Sequence, residues 1–234
     1  MNINEFTKKF FQMEIDCQLF LLKSKDNTYL WDCVRYDVFS YVYNIVSKRD
    51  INSSKPNMSI GKILWVSLFQ YFYFYLFAFF YFLKAPKYLI LSASRHQRGG
   101  LFIDIISDDI VSELDGTVVS LDTNSFYWKN IFKLPLKKQT KVYKVIPIIF
   151  TKSTEVNFIE EIKSSIIKHF KVSLDNEELH GIISHSISIY KSTKYYYKML
   201  FRIKKPVAVF LVQDGIQKGL FEAANESKVP VIEL

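Results

Sequence analysis

Residues 62–84, KILWVSLFQYFYFYLFAFFYFLK, hold 21 consecutive uncharged residues between Lys62 and Lys84. A helix rises about 1.5 Å per residue, so this segment reaches about 31 Å, enough to cross the hydrocarbon core of a bilayer. The same segment can also lie in a membrane interface or form the core helix of a soluble protein. Its length does not choose among these three structures.

Two features favour the interfacial helix. Lysines flank both ends of the segment. The positive-inside rule therefore gives no preferred orientation for a membrane-spanning helix. Tyrosine and polar side chains recur along it, and such groups suit the headgroup region better than acyl chains. They are Ser67, Gln70, Tyr71, Tyr73, Tyr75 and Tyr81, with Trp65 beside them. We therefore expect residues 63–83 to bind a membrane from one side, with a span or a buried helix as alternatives.

From residue 87 onward, short apolar segments alternate with helical ones, a pattern typical of parallel strands covered on both faces. The strand candidates are YLILSAS, TVVSLD, VYKVIPIIF, PVAVFLVQD and VPVIEL. Helices are expected over about 153–170, 175–204 and GIQKGLFEAANESK, the second capped by Asp175. The sequence thus predicts a single Rossmann-like, doubly wound α/β sheet over 87–234. A helical region over 1–86 precedes it.

Composition narrows the classes of partner. The formal charge of +8, from 31 Lys and Arg against 23 Asp and Glu, favours phosphate-bearing or membrane-surface partners. The lysines are dispersed and no nucleic-acid-binding signature occurs, so we expect no nucleic acid. Cys17 and Cys33 are too few for a disulfide framework or a metal site, and no cofactor is expected. The charged N-terminus is unlike a signal peptide, which fits a reducing, cytosolic setting.

Open parallel sheets bind ligands at the carboxyl ends of their strands. After the first strand comes SRHQRGGLFIDIISDDI, a predicted strand-to-helix loop. Arginine forks suit phosphate or carboxylate, and glycines let backbone approach a ligand. The candidate ligand-binding residues here are Arg95, His96, Arg98, Gly99 and Gly100. Asp104 and Asp108 are the candidate catalytic carboxylates, able to accept a proton from a sugar hydroxyl. The alternative is a solvated loop in which Ser107 or Asp108 caps the next helix.

A second candidate follows the fourth strand, in QDGIQKG. Asp214 and Gly215 precede a helix whose first amide groups can bind an anion, although a simple capped turn explains them equally well. The histidines add no metal site, because His180 and His185 are five residues apart and point to different faces of a helix.

The segments KYLILSAS, RGGLFIDIISDDIVSEL and RIKKPVAVFLVQDGIQKGLFEAANESKVPVIEL resemble the N-terminal half of bacterial GT-B-type glycosyltransferases of capsule and surface-polysaccharide biosynthesis. LWDCVRYDVF is similar to their N-terminal region, so the likeness extends over nearly the whole chain. Within it, the positions that match the family's loop are Arg98, Gly100, Asp104 and Asp108. CDP-glycerol glycerophosphotransferases share the architecture and are a near alternative.

The resemblance implies an acceptor-binding half whose acceptor is a lipid-linked or other glycan at the cytoplasmic face of the inner membrane. In the family, the strand matching VPVIEL continues into a Gln-His-Gly motif and a second domain that binds the nucleotide-sugar donor. Here the sequence ends at Leu234, so the donor is expected on a second domain or partner chain, as in a split or truncated enzyme. The other alternative is a non-catalytic, membrane-associated binding protein.

Overall fold

The computed structural model describes residues 1–23, 28–47, 60–92, 96–98, 101–134, 138–148, 156–212 and 218–234. They form two compact units. The helical unit comprises residues 1–57 and 149–190, and the sheet unit comprises residues 58–148 and 191–234.

The sheet unit is built on five parallel strands. In chain order they are β1 (Tyr88–Ser92), β4 (Val118–Asp122), β5 (Gln139–Tyr143), β6 (Ala208–Leu211) and β7 (Val231–Glu233). Their order across the sheet is β5-β4-β1-β6-β7. From β1 the chain moves outward to β4 and β5, then returns to the other side of β1 for β6 and β7. A short antiparallel pair, β2 (His96–Arg98) and β3 (Leu101–Ile103), follows β1.

Helices cover both faces of this sheet because alternate strand residues are apolar on each side. One face packs against α3 (Ile60–Lys84), α7 (Lys218–Ser227), a 3-10 helix (Ser125–Lys133) and the end of α6 (Asn176–Ile203). Leu89 and Val119 point to this face. Ile90 and Phe210 point to the other face, where Val111 of α4 (Ile105–Glu113) packs on them.

The helical unit contains α1 (Ile3–Asp16), α2 (Leu30–Val46), α5 (Val156–Phe170) and the first part of α6. Its core is rich in aromatic rings. Phe6 and Phe10 each meet Phe39 edge to face, with ring centroids 5.0 Å apart, a favourable geometry for aromatic pairs. The spacing of Trp31, Val34, Val38 and Val42 places them on one face of α2, and all four are buried.

The strand and helix predictions are confirmed in outline and differ in three details. The predicted loop after β1 contains the β2–β3 hairpin. The third strand runs over Gln139–Tyr143 and ends before the irregular segment that contains Pro147, a residue that cannot donate to a sheet ladder. The predicted boundary at residue 86 also differs from the observed division. The aromatic helix α3 belongs to the sheet unit, whereas α5 packs with α1 and α2.

Candidate functional site

The carboxyl edge of the sheet carries a buried polar pair. Ser92 ends β1 and Asp122 ends β4, and the two are register partners. The Ser92 hydroxyl donates to Oδ2 of Asp122 at 3.2 Å, and the Asn124 amide donates to Oδ1 at 2.8 Å. Asp122 is fully buried. A buried carboxylate at a strand end, next to the point where strand order reverses, is the position at which such sheets bind ligands.

Asp108 has a structural role. Lys141 donates to its Oδ2 at 2.9 Å, and Gln139 donates to its Oδ1 at 3.0 Å. Gln139 also donates to the buried Ser120 hydroxyl at 3.1 Å. These contacts join α4 to β4 and β5 across the face of the sheet. Since both carboxylate oxygens of Asp108 are engaged, this residue is poorly suited to accept a proton from a substrate.

Asp104 differs from Asp108 in having a spare acceptor. It is the N-cap of α4: its Oδ1 accepts from the amides of Ile106 at 3.1 Å and Ser107 at 3.3 Å. Its own amide donates to Asp108 at 3.2 Å. Asp104 is 6% exposed, and among the described residues nothing donates to its Oδ2. The Ser107 hydroxyl is likewise buried without a partner in the described structure. An unpaired buried acceptor costs about 1–3 kcal/mol, so a ligand that donates a hydrogen bond here is favoured.

The other predicted site residues are placed only in part. His96 and Arg98 lie in β2, and their side chains fall outside the described structure. Arg95, Gly99, Gly100, Asp214 and Gly215 lie outside the described residues. Asp122 was not singled out from the sequence, although it ends the apolar segment TVVSLD. The rule that directed attention to the end of β1 applies equally to this strand.

In the helical unit, the residues of LWDCVRYDVF hold a buried carboxylate. Glu14 is fully buried. The Trp31 indole donates to its Oε1 at 2.8 Å, and Arg35 donates to both oxygens, with Nη2 2.8 Å from Oε2. Arg35 also lies over the rings of Phe11 and Phe20. The Trp and Arg of this segment therefore fix α2 against α1, which is a structural function.

Cys17, His169 and Asp16 meet where α1 and α5 end. Nδ1 of His169 lies 4.0 Å from the Cys17 sulfur, and Nε2 lies 3.2 Å from Asp16. Nδ1 is also 3.0 Å from the carbonyl oxygen of Ser165 and donates to it. A ring nitrogen engaged in this way is not a base for the thiol, so the trio does not form a nucleophile–base pair. Hydrogen bonds from Gln12 and then His169 lower the pKa of Asp16.

A shallow depression of about 340 Å³ lies in the helical unit, between α5 and the start of α6. Its wall carries Glu160, Lys163 and Glu177, and the first two form a solvent-exposed ion pair at 3.5 Å. The buried Ile159 and Leu179 form its floor, and among the described residues no buried polar side chain lines it. It is a weak candidate for a binding site.

Helix α3 has one buried and one exposed apolar face. Tyr73, Phe74, Phe77 and Tyr81 are buried in the core of the sheet unit. The opposite face exposes large apolar side chains to solvent, among them Trp65 at 73% and Phe72 at 65%. Within the described residues, Trp65–Lys84 is long and apolar enough to cross a membrane by length and composition, and 28% of it is buried.

Together these features define an α/β protein with an all-parallel five-stranded sheet, a polar strand-end edge and an exposed aromatic helix. Comparison of the chain with protein-family models, with curated proteins and with solved structures found no match.

Proposed function

We propose that the chain is the acceptor-binding part of a glycosyltransferase that builds a bacterial surface polysaccharide. The sheet order β5-β4-β1-β6-β7 supports this, because in order of sequence it reads 3-2-1-4-5, the first five positions of the Rossmann order 3-2-1-4-5-6. A GT-B-type enzyme contains one such sheet in its acceptor-side domain. We assign the nucleotide-sugar donor to a second domain or a partner chain, as in the family that the sequence resembles.

The observation that carries the proposal is the unpartnered Oδ2 of Asp104. This oxygen is buried in the unliganded chain, so the proposed complex requires the side chains that cover it to move aside. The oxygen then accepts a hydrogen bond from an acceptor hydroxyl and takes its proton, as the hydroxyl oxygen bonds to the anomeric carbon and the bond from that carbon to the nucleotide diphosphate breaks. Oδ1 stays bonded to the amides of α4, which keeps the carboxylate in place. Asp108 is not proposed as a second catalytic carboxylate, because Lys141 and Gln139 occupy it.

The test compares Asp104→Asn with Asp109→Asn. Asparagine caps a helix as well as aspartate, so D104N keeps the Oδ1 contacts and replaces the free acceptor with a donor. Asp109 is exposed on the same turn of α4 and serves as the matched control. Binding to an oligosaccharide library is measured by saturation-transfer NMR.

We expect D104N to weaken glycan binding by about 10- to 150-fold, the cost of about 1.5–3 kcal/mol for a hydrogen bond to a charged group. D109N should bind as the unmodified chain does. Equal affinities for both variants, or no glycan binding by the unmodified chain, would contradict the proposal.

A second candidate function is a non-catalytic, membrane-associated binding protein, which the exposed apolar face of α3 favours. The two candidates differ in sugar transfer. Adding a separately expressed donor half and radiolabelled nucleotide sugars produces labelled glycan only for the transferase.

A further inference from the structure

Exposed aromatic side chains on two elements of the sheet unit form one continuous surface. On α3 most of the exposed apolar positions recur every three or four residues, so they follow a stripe along the helix. They are Trp65, Leu68, Phe69, Phe72, Tyr75, Phe79, Phe82 and Leu83, and Val66 and Tyr71 beside the stripe are exposed as well. On the adjacent 3-10 helix, Phe126 is 69% exposed and Phe132 is 52% exposed. The rings of Phe80 and Phe132 meet edge to face at 5.4 Å and join the two elements.

We propose that this surface, termed the aromatic platform, docks the protein onto one leaflet of an anionic membrane. The proposal stands on residues other than those of the sheet edge and does not depend on glycosyl transfer. Exposed apolar patches of this extent on a soluble protein mark an interaction site. The question is which partner the patch fits.

Charge favours an anionic bilayer over a protein partner. No Asp or Glu occurs between residues 51 and 103 or between residues 123 and 154, the two stretches that contain the platform. Lys129 and Lys133 are exposed on the 3-10 helix among its aromatic rings. Segments that combine apolar rings with cations and contain no carboxylates are complementary to acyl chains beneath anionic headgroups. Lysine stems also pack along apolar surface while their ammonium groups reach the headgroups.

Geometry favours docking on one side over a span. Tyr73, Phe77 and Tyr81 on the inner face of α3 are buried against the sheet. The Tyr81 hydroxyl donates to the Lys204 carbonyl at 3.4 Å, and the Tyr71 hydroxyl donates to the Ile148 carbonyl at 3.4 Å. Only the outer face is therefore available for lipid. The helix then lies in the membrane plane, with all of its exposed rings at a similar depth.

The first experiment is vesicle flotation with the full chain. Vesicles of phosphatidylcholine alone are compared with vesicles containing about a quarter of phosphatidylglycerol. We expect binding to the anionic vesicles, weakened by about five-fold for each lysine removed in Lys129→Gln and Lys133→Gln. The double variant F72E/F79E should lose binding by 100-fold or more, because it places carboxylates in the apolar face.

Tyr36→Glu is the matched control, since Tyr36 is 64% exposed on α2, outside the platform. It should float as the unmodified chain does. Circular dichroism checks that each variant keeps its helix content. If F72E/F79E does not fold, the two lysine variants still test the charge dependence. Equal binding of every variant would overturn the proposal. The proposal would also be overturned if the unmodified chain did not bind vesicles and instead formed a dimer that the F72E/F79E substitutions dissociate.

The second experiment measures depth with lipids brominated at different positions. Trp65 is the native probe on the platform, used in a Trp128→Phe background because Trp128 is 42% exposed on the 3-10 helix. Phe72→Trp, in a Trp65→Phe, Trp128→Phe background, places a probe near the middle of the stripe. Docking predicts that shallow bromines quench both probes most strongly. Trp31 is fully buried in the helical unit and should remain unquenched. Maximal quenching of the F72W probe by bromines near the bilayer centre would mean that the helix spans the membrane, and the proposal would be wrong.

Discussion

Replacing Arg35 with methionine tests how the helical unit keeps a buried carboxylate. Glu14 is fully buried, and its two oxygens are held by Arg35 and Trp31. Removing one partner of a buried ion pair costs about 3–5 kcal/mol, because the other charge is left uncompensated. The Arg35 side chain is 37% exposed, so solvent already screens part of its charge. Methionine retains some packing on Phe11 and Phe20. We therefore expect Arg35→Met to destabilise the helical unit by about 2–3 kcal/mol.

The assay is urea unfolding at neutral pH, followed by tryptophan fluorescence. The chain has three tryptophans, and Trp31 is the one that contacts Glu14. In a Trp65→Phe, Trp128→Phe background, Trp31 alone reports on the helical unit. Lys8→Met is the control, since Lys8 is exposed on α1 within the helical unit. It should change stability by less than about 0.5 kcal/mol.

The double variant Glu14→Gln, Arg35→Met tests whether the loss of stability in Arg35→Met comes from the uncompensated charge of Glu14. Glutamine keeps an oxygen for the Trp31 indole and removes the buried charge. If the cost of Arg35→Met comes from an uncompensated carboxylate, the double variant should recover about 1 kcal/mol or more relative to the single one. A double variant that is less stable than Arg35→Met alone would refute this reasoning, and so would a loss below 0.5 kcal/mol in the single variant.

Three further substitutions have expected outcomes. The Tyr197 hydroxyl is buried without a partner in the described structure, so Tyr197→Phe should leave stability unchanged or raise it by about 1 kcal/mol in thermal unfolding. Glu226 bonds to Lys198, and this contact lowers the pKa of Glu226. Glu226→Gln should therefore cost about 0.5 kcal/mol at pH 7, and the difference should vanish as acid protonates the native carboxylate. Gly116 has φ +124°, and a Cβ there would lie 2.6 Å from the Lys87 side chain. We expect Gly116→Ala to cost about 1–3 kcal/mol in urea unfolding.

The parallel sheet could be predicted because each of its strands can be recognised from a short stretch of sequence. Each strand is a short apolar segment between helical ones, and the crossover rule limits how such strands connect. The same holds for the tyrosine trio of α6, whose consecutive positions must point to different sides of a helix. Tyr195 is 51% exposed, whereas Tyr196 and Tyr197 are buried. The cap of α6 is also confirmed, since Asp175 accepts from the amides of Glu177 and Glu178.

Contacts between distant segments could not be predicted. Asp108 and Lys141 are 33 residues apart, and nothing in the local sequence shows that the lysine occupies the carboxylate. Asp104 and Asp108 therefore look equivalent as candidate bases until the tertiary structure separates them. The grouping of α5 with α1 and α2 depends in the same way on packing between segments more than 100 residues apart. The β2–β3 hairpin was missed because its strands are only three residues long.

The aromatic helix α3 shows why average composition misleads about membrane spans. The mean hydropathy of residues 65–84 does not show on which side of the helix each ring lies, whereas the folded helix divides its rings between two faces. Tyr73, Phe77 and Tyr81 recur every four residues and face the sheet. Burying one large apolar side chain contributes about 1.5–3 kcal/mol. Drawing α3 away from the sheet into a bilayer would thus remove about 5–9 kcal/mol of packing from the sheet core, while lipid would replace it only on the helix side. That loss is comparable to the whole stability of an ordinary domain. Docking through the outer face keeps the core intact, so we expect α3 to stay packed on the sheet unit when the chain binds a membrane.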